Sequence, residues 1–283
     1  MSEYEFISGQ LQFGKDRDLE REAWQRAALH REMVTRVLTS RPPSGGKLAV
    51  WGAGPCNDLA LPVLHDWYSE IHLFDLNGLN VWNGVDRQGL AGVDWIHIHG
   101  NVDVSGVSKK LDALRGRAIR HEDIEAIIEE LPRQTLNEYA SQFDAVVSTC
   151  LLSQIIEHAI GIIGEDHPQM LDLIKALRAQ HFMAMIDACK PGGMVALVYD
   201  LVSSVTLPAM IGTQGEDLKA VLNKAIQNQN FFHGMNPIAI ADALKTDPLI
   251  APSVENLRGT EPWVWDAVSR YYAVAALAFD RRV

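Results

Sequence analysis

Three polar corners in the first part of the chain carry the residue types that hold a nucleoside. The run Val50-Trp51-Gly52-Ala53-Gly54-Pro55-Cys56-Asn57-Asp58 sets two glycines directly after a short apolar segment. Glycines there let the chain turn tightly and let a ligand approach bare backbone. Asp75 closes the next apolar segment. A carboxylate at that point can accept both hydroxyls of a ribose lying across the strand ends, with a helix N-cap as its structural alternative. Gly100-Asn101-Val102-Asp103 follows the third segment. Asn101 or Asp103 can bond an adenine amino group while Val102 packs on the ring; a plain turn is the competing use.

The glycine run is half of a dinucleotide fingerprint, with Cys56 or Asn57 near the place of a third glycine. No Gly-Lys-Ser/Thr step follows, so a triphosphate loop is not supported. An NAD-dependent oxidoreductase would also use the glycines and Asp75, but it calls for a hydride-handling pair, and the chain has no Tyr-x-x-x-Lys. Farther on, Ser148-Thr149-Cys150-Leu151-Leu152-Ser153-Gln154 forms a second polar group. Ser153 and Gln154 can orient a small polar molecule or cap a helix. Cys150 has no basic neighbour that would make it a nucleophile. Asp200, His158, His181 and His233 are candidate bases that spacing alone does not bring together, so no catalytic residue is assigned.

These corners need elements to position them. Asp18 to Thr39 reads as an amphipathic helix with Leu19, Ala23, Ala27, Val34 and Leu38 inward, stopped by Pro42-Pro43. Short apolar runs at Leu48–Trp51, Ile71–Phe74, Trp95–Ile98, Phe143–Ser148 and Met194–Tyr199 read as buried strands. Asp144 is expected at the mouth of the fourth. Helices are expected from Asn57 or Asp58, around Ile124 to Leu131, over Met170–Lys190 and over Leu218–Gln227, while Phe231–Pro237 and Thr246–Pro252 read as irregular. Trp263–Ala267 and Tyr271–Phe279 read as a closing antiparallel pair. Strands alternating with helices argue for a mostly parallel sheet covered on both faces.

The 283 residues suffice for one α/β domain. A formal charge of -11 disfavours nucleic acid as a partner, since such binding draws on charge neutralisation. Arg115, Arg117 and Arg120 form a small basic group that reads as a solvated helix face. The acidic start, the lack of a long apolar run and the odd set of three cysteines point to a cytoplasmic chain with no membrane span, disulfide framework or metal-type cysteine spacing.

The order of glycine loop, acidic strand end, third polar corner, Phe143-Asp144-Ala145-Val146-Val147-Ser148-Thr149-Cys150 and Lys190-Pro191-Gly192-Gly193 before a strand resembles the class I S-adenosylmethionine-dependent methyltransferases. The likeness spans residues 45 to 200, and the strand pair at 263 to 279 matches that family's last two strands. It implies an α/β, three-layer Rossmann-like sandwich with a mostly parallel seven-stranded sheet and an antiparallel C-terminal pair. It implies S-adenosylmethionine as cofactor, held by Gly52, Ala53, Gly54, Asp75, Asn101, Val102, Asp103, Ser148 and Thr149. Cys150, Ser153, Gln154 and Asp200 would face a small-molecule oxygen or nitrogen acceptor. The chain departs from the family at Val50, where an acid is frequent, and at Cys56. A cofactor-binding relative without turnover is the alternative reading. Residues 1–283 are expected to form one domain, with a helical segment at 1–44 and substrate-side insertions or a lid at 104–142 and 201–260.

Overall fold

The computed structural model describes residues 17–133 and 136–283. Residues 1–16 of the expected helical segment, and 134 and 135 of the first expected insertion, lie outside the described residues. The strands are β1 (Gly46–Trp51), β2 (Tyr68–Asp75), β3 (Ile96–Gly100), β4 (Phe143–Thr149), β5 (Cys189–Ser203), β6 (Val254–Gly259), β7 (Trp263–Asp266) and β8 (Tyr271–Arg281). They form one sheet in the order β3-β2-β1-β4-β5-β8-β6, with β7 also paired to β8. The strands from β1 to β5 run parallel to their neighbours, and β8 is antiparallel to β5.

β6 pairs with Leu277–Arg281 and β7 with Tyr271–Val274, so the two lie end to end along β8 and fill one edge position. Thr260 bridges them: its N–H donates to Ala276 O, and its Oγ1 accepts from Ala276 N, each at 2.9 Å. The result is a seven-position, mostly parallel Rossmann-like sandwich, closed by the expected antiparallel pair.

Strand alternation divides the core into two layers. Leu48 and Val50 face one layer; Ala49 and Trp51 face the other. The helices are α1 (Arg17–Arg26), α2 (Ala28–Leu38), α3 (Leu61–His65), α4 (Gly78–Arg87), α5 (Ser108–Asp112), α6 (His121–Glu130), α7 (Leu151–Ile163), α8 (Met170–Ala188), α9 (Gly215–Gln227) and α10 (Pro237–Thr246). Val34, Leu64 and Val81 of α2 to α4 bury against the first layer, and Ile127, Ile156, Leu177, Leu222 and Ile240 of α6 to α10 against the second.

Several boundaries move. Leu19 is exposed rather than inward, and His30 takes an inward place with Ala27, Val34 and Leu38. The helix after the glycines begins at Leu61, not at Asn57 or Asp58, because the chain continues in turns through Asp58. α8 ends at Ala188, and Lys190 to Gly193 bulge out of β5: Phe143 pairs with Cys189 and Ala145 with Met194, which leaves four residues opposite Asp144. Gly192 turns there at φ +76°. Asp144 therefore lies at the start of β4, the end of the sheet opposite the expected mouth. α10 and β6 fill parts of residues 201–260 that gave no clear sequence pattern. Asn236 caps α10 by accepting from the Ile238 and Ala239 N–H groups, with Pro237 at its first turn. No helix among the described residues is long and apolar enough to cross a membrane.

Candidate functional site

A parallel sheet presents the loops after its strands at one end, and the three corners meet there. Gly52 and Gly54 take left-handed φ values of +74° and +47°. A Cβ on Gly52 would lie 2.9 Å from Leu151 Cβ and 3.3 Å from Thr149 O, so the loop rests directly on the start of α7. The Gly52 and Ala53 N–H groups donate to Phe74 O at 3.0 and 3.2 Å, and Cys56 N–H donates to Ala53 O at 2.9 Å. Gly54 N–H donates to Asp75 Oδ2 at 2.9 Å. Pro55 has no N–H. From Gly52 to Cys56, the backbone donors are all spent inside the protein.

Cys56 stands where a third glycine is usual, and it is left-handed (φ +54°) and fully buried. Its space comes from the helix opposite. A Cβ on Gly84 would lie 2.2 Å from Pro55 O and 3.0 Å from Cys56 Cβ. The close packing that a loop glycine normally permits is supplied here by a helix glycine in α4. Arg87, one turn later, donates to Pro55 O and, at 2.9 Å, to Asn57 Oδ1.

Asp75 joins two corners. Its Oδ2 accepts from Gly54 and its Oδ1 from Asn77 N–H at 2.8 Å, and its carbonyl accepts from Val102 N–H at 3.3 Å. Gly78 and Gly100 touch: a Cβ on either would lie 2.9 Å from the other's Cα. Asn101 is exposed and left-handed at φ +60°. The Asp103 carboxylate is engaged by its own loop. Its Oδ1 accepts from Ser105 N–H (3.0 Å) and Oγ (2.5 Å), and its Oδ2 from Ser108 N–H (2.9 Å), which organises the entry to α5.

Three carboxylates line the same end of the sheet. Burial pushes Asp58 up to about 7, against the pull of bonds from its own backbone N–H and the Thr149 hydroxyl and of the Arg31 charge. Burial raises Asp75, opposed by the Asn77 and Gly54 amides. Burial pushes Asp200 up to about 6, opposed by Ser153, whose Oγ donates to Asp200 Oδ1 at 2.6 Å. Asp75 adds to the rise of Asp58, and both Asp58 and Asp200 help raise the buried Cys150 thiol. The three acids therefore share one electrostatic neighbourhood. None forms a salt bridge among the described residues.

The other expected site residues divide. Thr149 is buried and donates to Gly52 O at 3.0 Å, clamping β4 to the loop. Cys150 begins α7 in a left-handed conformation (φ 46°), and Gln154 Nε2 donates to its carbonyl at 2.9 Å. Ser148 points into the opposite core layer, where its Oγ meets His181 Nε2 at 2.8 Å. Burial lowers His181 to about 4. His158 lies 3.4 Å from Asp112, and His233 sits between Glu157 and Glu165 at 3.4 and 3.1 Å. Asp144 pairs with Lys190 Nζ at 2.8 Å, remote from these groups at the other end of the sheet. Arg115, Arg117 and Arg120 each hold a nearby carboxylate, of Asp112 or Asp123.

The N-terminal helices reach both sides of this end. Arg31 donates to Asn57 O at 2.9 Å and to Trp24 O at 3.0 Å, and its guanidinium lies 3.6 Å from the Trp24 ring centroid. Arg26 pairs with Asp266, at the end of β7, at 3.3 Å. Between these anchors, buried His30 stacks on Trp265 (4.5 Å) and accepts from Trp263 Nε1 at 3.0 Å, and Trp265 packs beside Tyr272. The sequence places Trp263, Trp265 and Tyr272 only in the closing strand pair. Their joint cover by α2 has no local signal, because the partners lie more than two hundred positions apart.

No family model matches the chain, and no curated protein matches it by sequence. Solved structures resemble it at low identity. A 1,6-didemethyltoxoflavin-N1-methyltransferase of Burkholderia thailandensis, with 1,6-didemethyltoxoflavin and S-adenosylhomocysteine bound, is 10% identical over 100% of this chain and 92% of its own, at a TM-score of 0.48. A putative methyltransferase of Bacillus halodurans is 8% identical over 88% and 98%, at 0.45. The N-methyltransferase NodS of Bradyrhizobium japonicum is 12% identical over 95% and 99%, at 0.40. What this chain binds is decided by the residues of its own crevice, and none of these likenesses decides it.

Proposed function

We propose that the chain binds S-adenosylmethionine and transfers its methyl group to a small-molecule oxygen or nitrogen acceptor. The carrying observation is the pairing of spent glycine-loop N–H groups with Asp58, Asp75 and Asp200. A dinucleotide needs free backbone donors for its diphosphate. This loop offers none between Gly52 and Cys56 and surrounds the place with carboxylates. That argues against the oxidoreductase reading. A cofactor bearing a sulfonium and an ammonium suits the same surroundings.

In this reading Gly52, Ala53 and Gly54 lie under the methionyl arm, and Asp58 supplies the negative charge that Val50 does not. Asp75, fixed by two amide donors, still has acceptor capacity on both oxygens for the ribose hydroxyls. Asn101 and Val102 receive adenine, while Asp103 sets their corner. The cofactor supplies an already electrophilic methyl, so alignment carries much of the catalysis. Asp200 is the base for an acceptor that arrives protonated: Ser153 holds Oδ1 and leaves Oδ2 to take the proton. Cys150, Ser153 and Gln154 shape the acceptor side. The α1–α2 pair, with parts of 104–142 and 201–260, closes over it.

Calorimetric titration with S-adenosylhomocysteine and, separately, NAD tests the reading. Saturable binding of the first, weakened in Asp75→Ala, with none of the second, is expected. Binding of NAD alone would reverse the assignment, and binding of neither would remove the cofactor role.

A further inference from the structure

The β2–β3 edge of the sheet carries a second constellation. His72 on β2 and His97 on β3 are register partners with ring centroids 4.5 Å apart. Glu70 stands two residues before His72 and therefore on the same face of the strand. Its Oε2 lies 3.3 Å from His72 Nε2 and 3.6 Å from His97 Nε2. One ligand atom from each residue lies within 4.8 Å of the others. Nitrogen and oxygen donors on a tetrahedral ion, each bonded at about 2.0–2.1 Å, sit about 3.3 Å apart. Both Glu–His spacings are close to that value. The His97 side chain, 40% exposed, has room to close the remaining side.

The surroundings orient one ligand as metal sites do. His72 Nδ1 meets His99 Nε2 at 3.0 Å, and His99 Nδ1 meets Tyr139 Oη at 3.2 Å. With the proton of His72 on Nδ1, donated to His99, the Nε2 lone pair faces Glu70 and His97. Such outer hydrogen bonds fix the tautomer and ring orientation of a metal-bound histidine. His99 is itself held by stacking on Phe74 at 4.3 Å. One cation already competes here: Lys47 Nζ lies 2.9 Å from Glu70 Oε2, on a side chain 42% exposed.

We propose that Glu70, His72 and His97 bind one divalent transition ion of the zinc class, with water completing four-coordination, and that the ion staples edge strand β3 to β2. Two imidazoles and one carboxylate favour such an ion over magnesium or calcium, which take oxygen ligands. The ion displaces the Lys47 ammonium, which swings into solvent. Nothing in this proposal depends on the crevice at the strand ends.

The test uses the whole chain, stripped with a chelator and titrated with Co2+ and then Zn2+. One equivalent of Co2+ should give the visible absorption of a four-coordinate ion, one equivalent of Zn2+ should displace it, and Tm should rise with either metal but not with Mg2+. His97→Ala and Glu70→Gln should each weaken binding by about 100-fold, and His99→Phe by about 10-fold. Lys47→Ala should tighten it, and His121→Ala, at an exposed histidine elsewhere, should leave it unchanged. Lys47 and His97 are surface side chains, so these variants keep the core. Absence of stoichiometric binding by the unaltered chain, or binding of full strength in both His97→Ala and Glu70→Gln, would overturn the proposal.

Discussion

The two ends of the sheet treat their acids in opposite ways. Where the parallel strands begin, carboxylates have cations. Asp144 has Lys190 at 2.8 Å, Asp280 has Arg41 at 2.6 Å and Arg258 at 3.1 Å, and Glu70 has Lys47 at 2.9 Å. The bond from Lys47 holds Glu70, and those from Asn256, Arg258 and Arg41 hold Asp280, below the usual carboxylate range. Where the strands end, Asp58, Asp75 and Asp200 receive backbone and hydroxyl donors, and burial raises all three. Arg31 acts on Asp58 only through its charge, without a salt bridge, and a buried acid without a paired cation costs stability. One end is built to be stable by itself, and the other is left short of positive charge that a ligand can supply.

The largest expected effect of breaking this contrast is at Asp75. In the proposed binding mode, replacing it with alanine removes bonds to two ribose hydroxyls and loosens Gly54, and binding of S-adenosylhomocysteine should fall by about 100-fold, on the order of 3 kcal/mol. An unchanged affinity by calorimetry would place the nucleoside elsewhere. Next is Gly84→Ala, which drives a methyl group onto Pro55 O. It should destabilise the fold by about 2 kcal/mol, read as a lower denaturation midpoint, and should weaken cofactor binding with it. Normal stability would show that α4 and the loop can separate freely.

Asp58→Asn sharpens the comparison through pH. Carboxyls raised in the folded state hold their protons there more tightly than in the unfolded chain. Their contribution to stability is full below the unfolded value near 3.8 and is lost as pH rises through about 6 for Asp200 and about 7 for Asp58. The asparagine variant should therefore have a higher Tm than the parent at pH 8, by about 1 kcal/mol of stability, and bind S-adenosylmethionine about 10-fold more weakly. Parent binding should strengthen between pH 5 and 8 as the acids ionise. Glu70 and Asp280 behave oppositely: their contribution is present above the ordinary carboxylate value and fades as pH falls through their lowered values. The smallest effect is at Lys190→Ala, which opens a partly exposed pair. It should cost about 0.5 kcal/mol and leave cofactor affinity unchanged.

The contrast also explains what was readable in the sequence. Strand ends, turn glycines and the Asp75 corner are local: each follows from an apolar run and the residue that stops it. Asp103 was legible as a polar corner but not as a cap, since its partners Ser105 and Ser108 look like ordinary loop serines. Asp144, expected at the mouth, lies at the opposite end, since an acid beside an apolar run does not reveal which end of the strand faces a ligand. β6 carries no strand signature: its sequence, Val-Glu-Asn-Leu-Arg-Gly, has a broken alternation, and it pairs with β8 through an irregular register. Asn236-Pro237 at the start of α10 is a local helix-start signal inside a stretch that otherwise reads as irregular. The exchange of a loop glycine for Gly84 was not readable, because it depends on how closely α4 approaches Pro55.

The most direct test of the central claim is the structure of the chain grown with S-adenosylhomocysteine. The ribose hydroxyls should lie on Asp75, adenine against Asn101 and Val102, and the methionyl ammonium toward Asp58, with the sulfur facing Cys150 and Asp200. A ligand bound away from Asp75, or a crevice that stays empty at saturating concentration, would contradict the account.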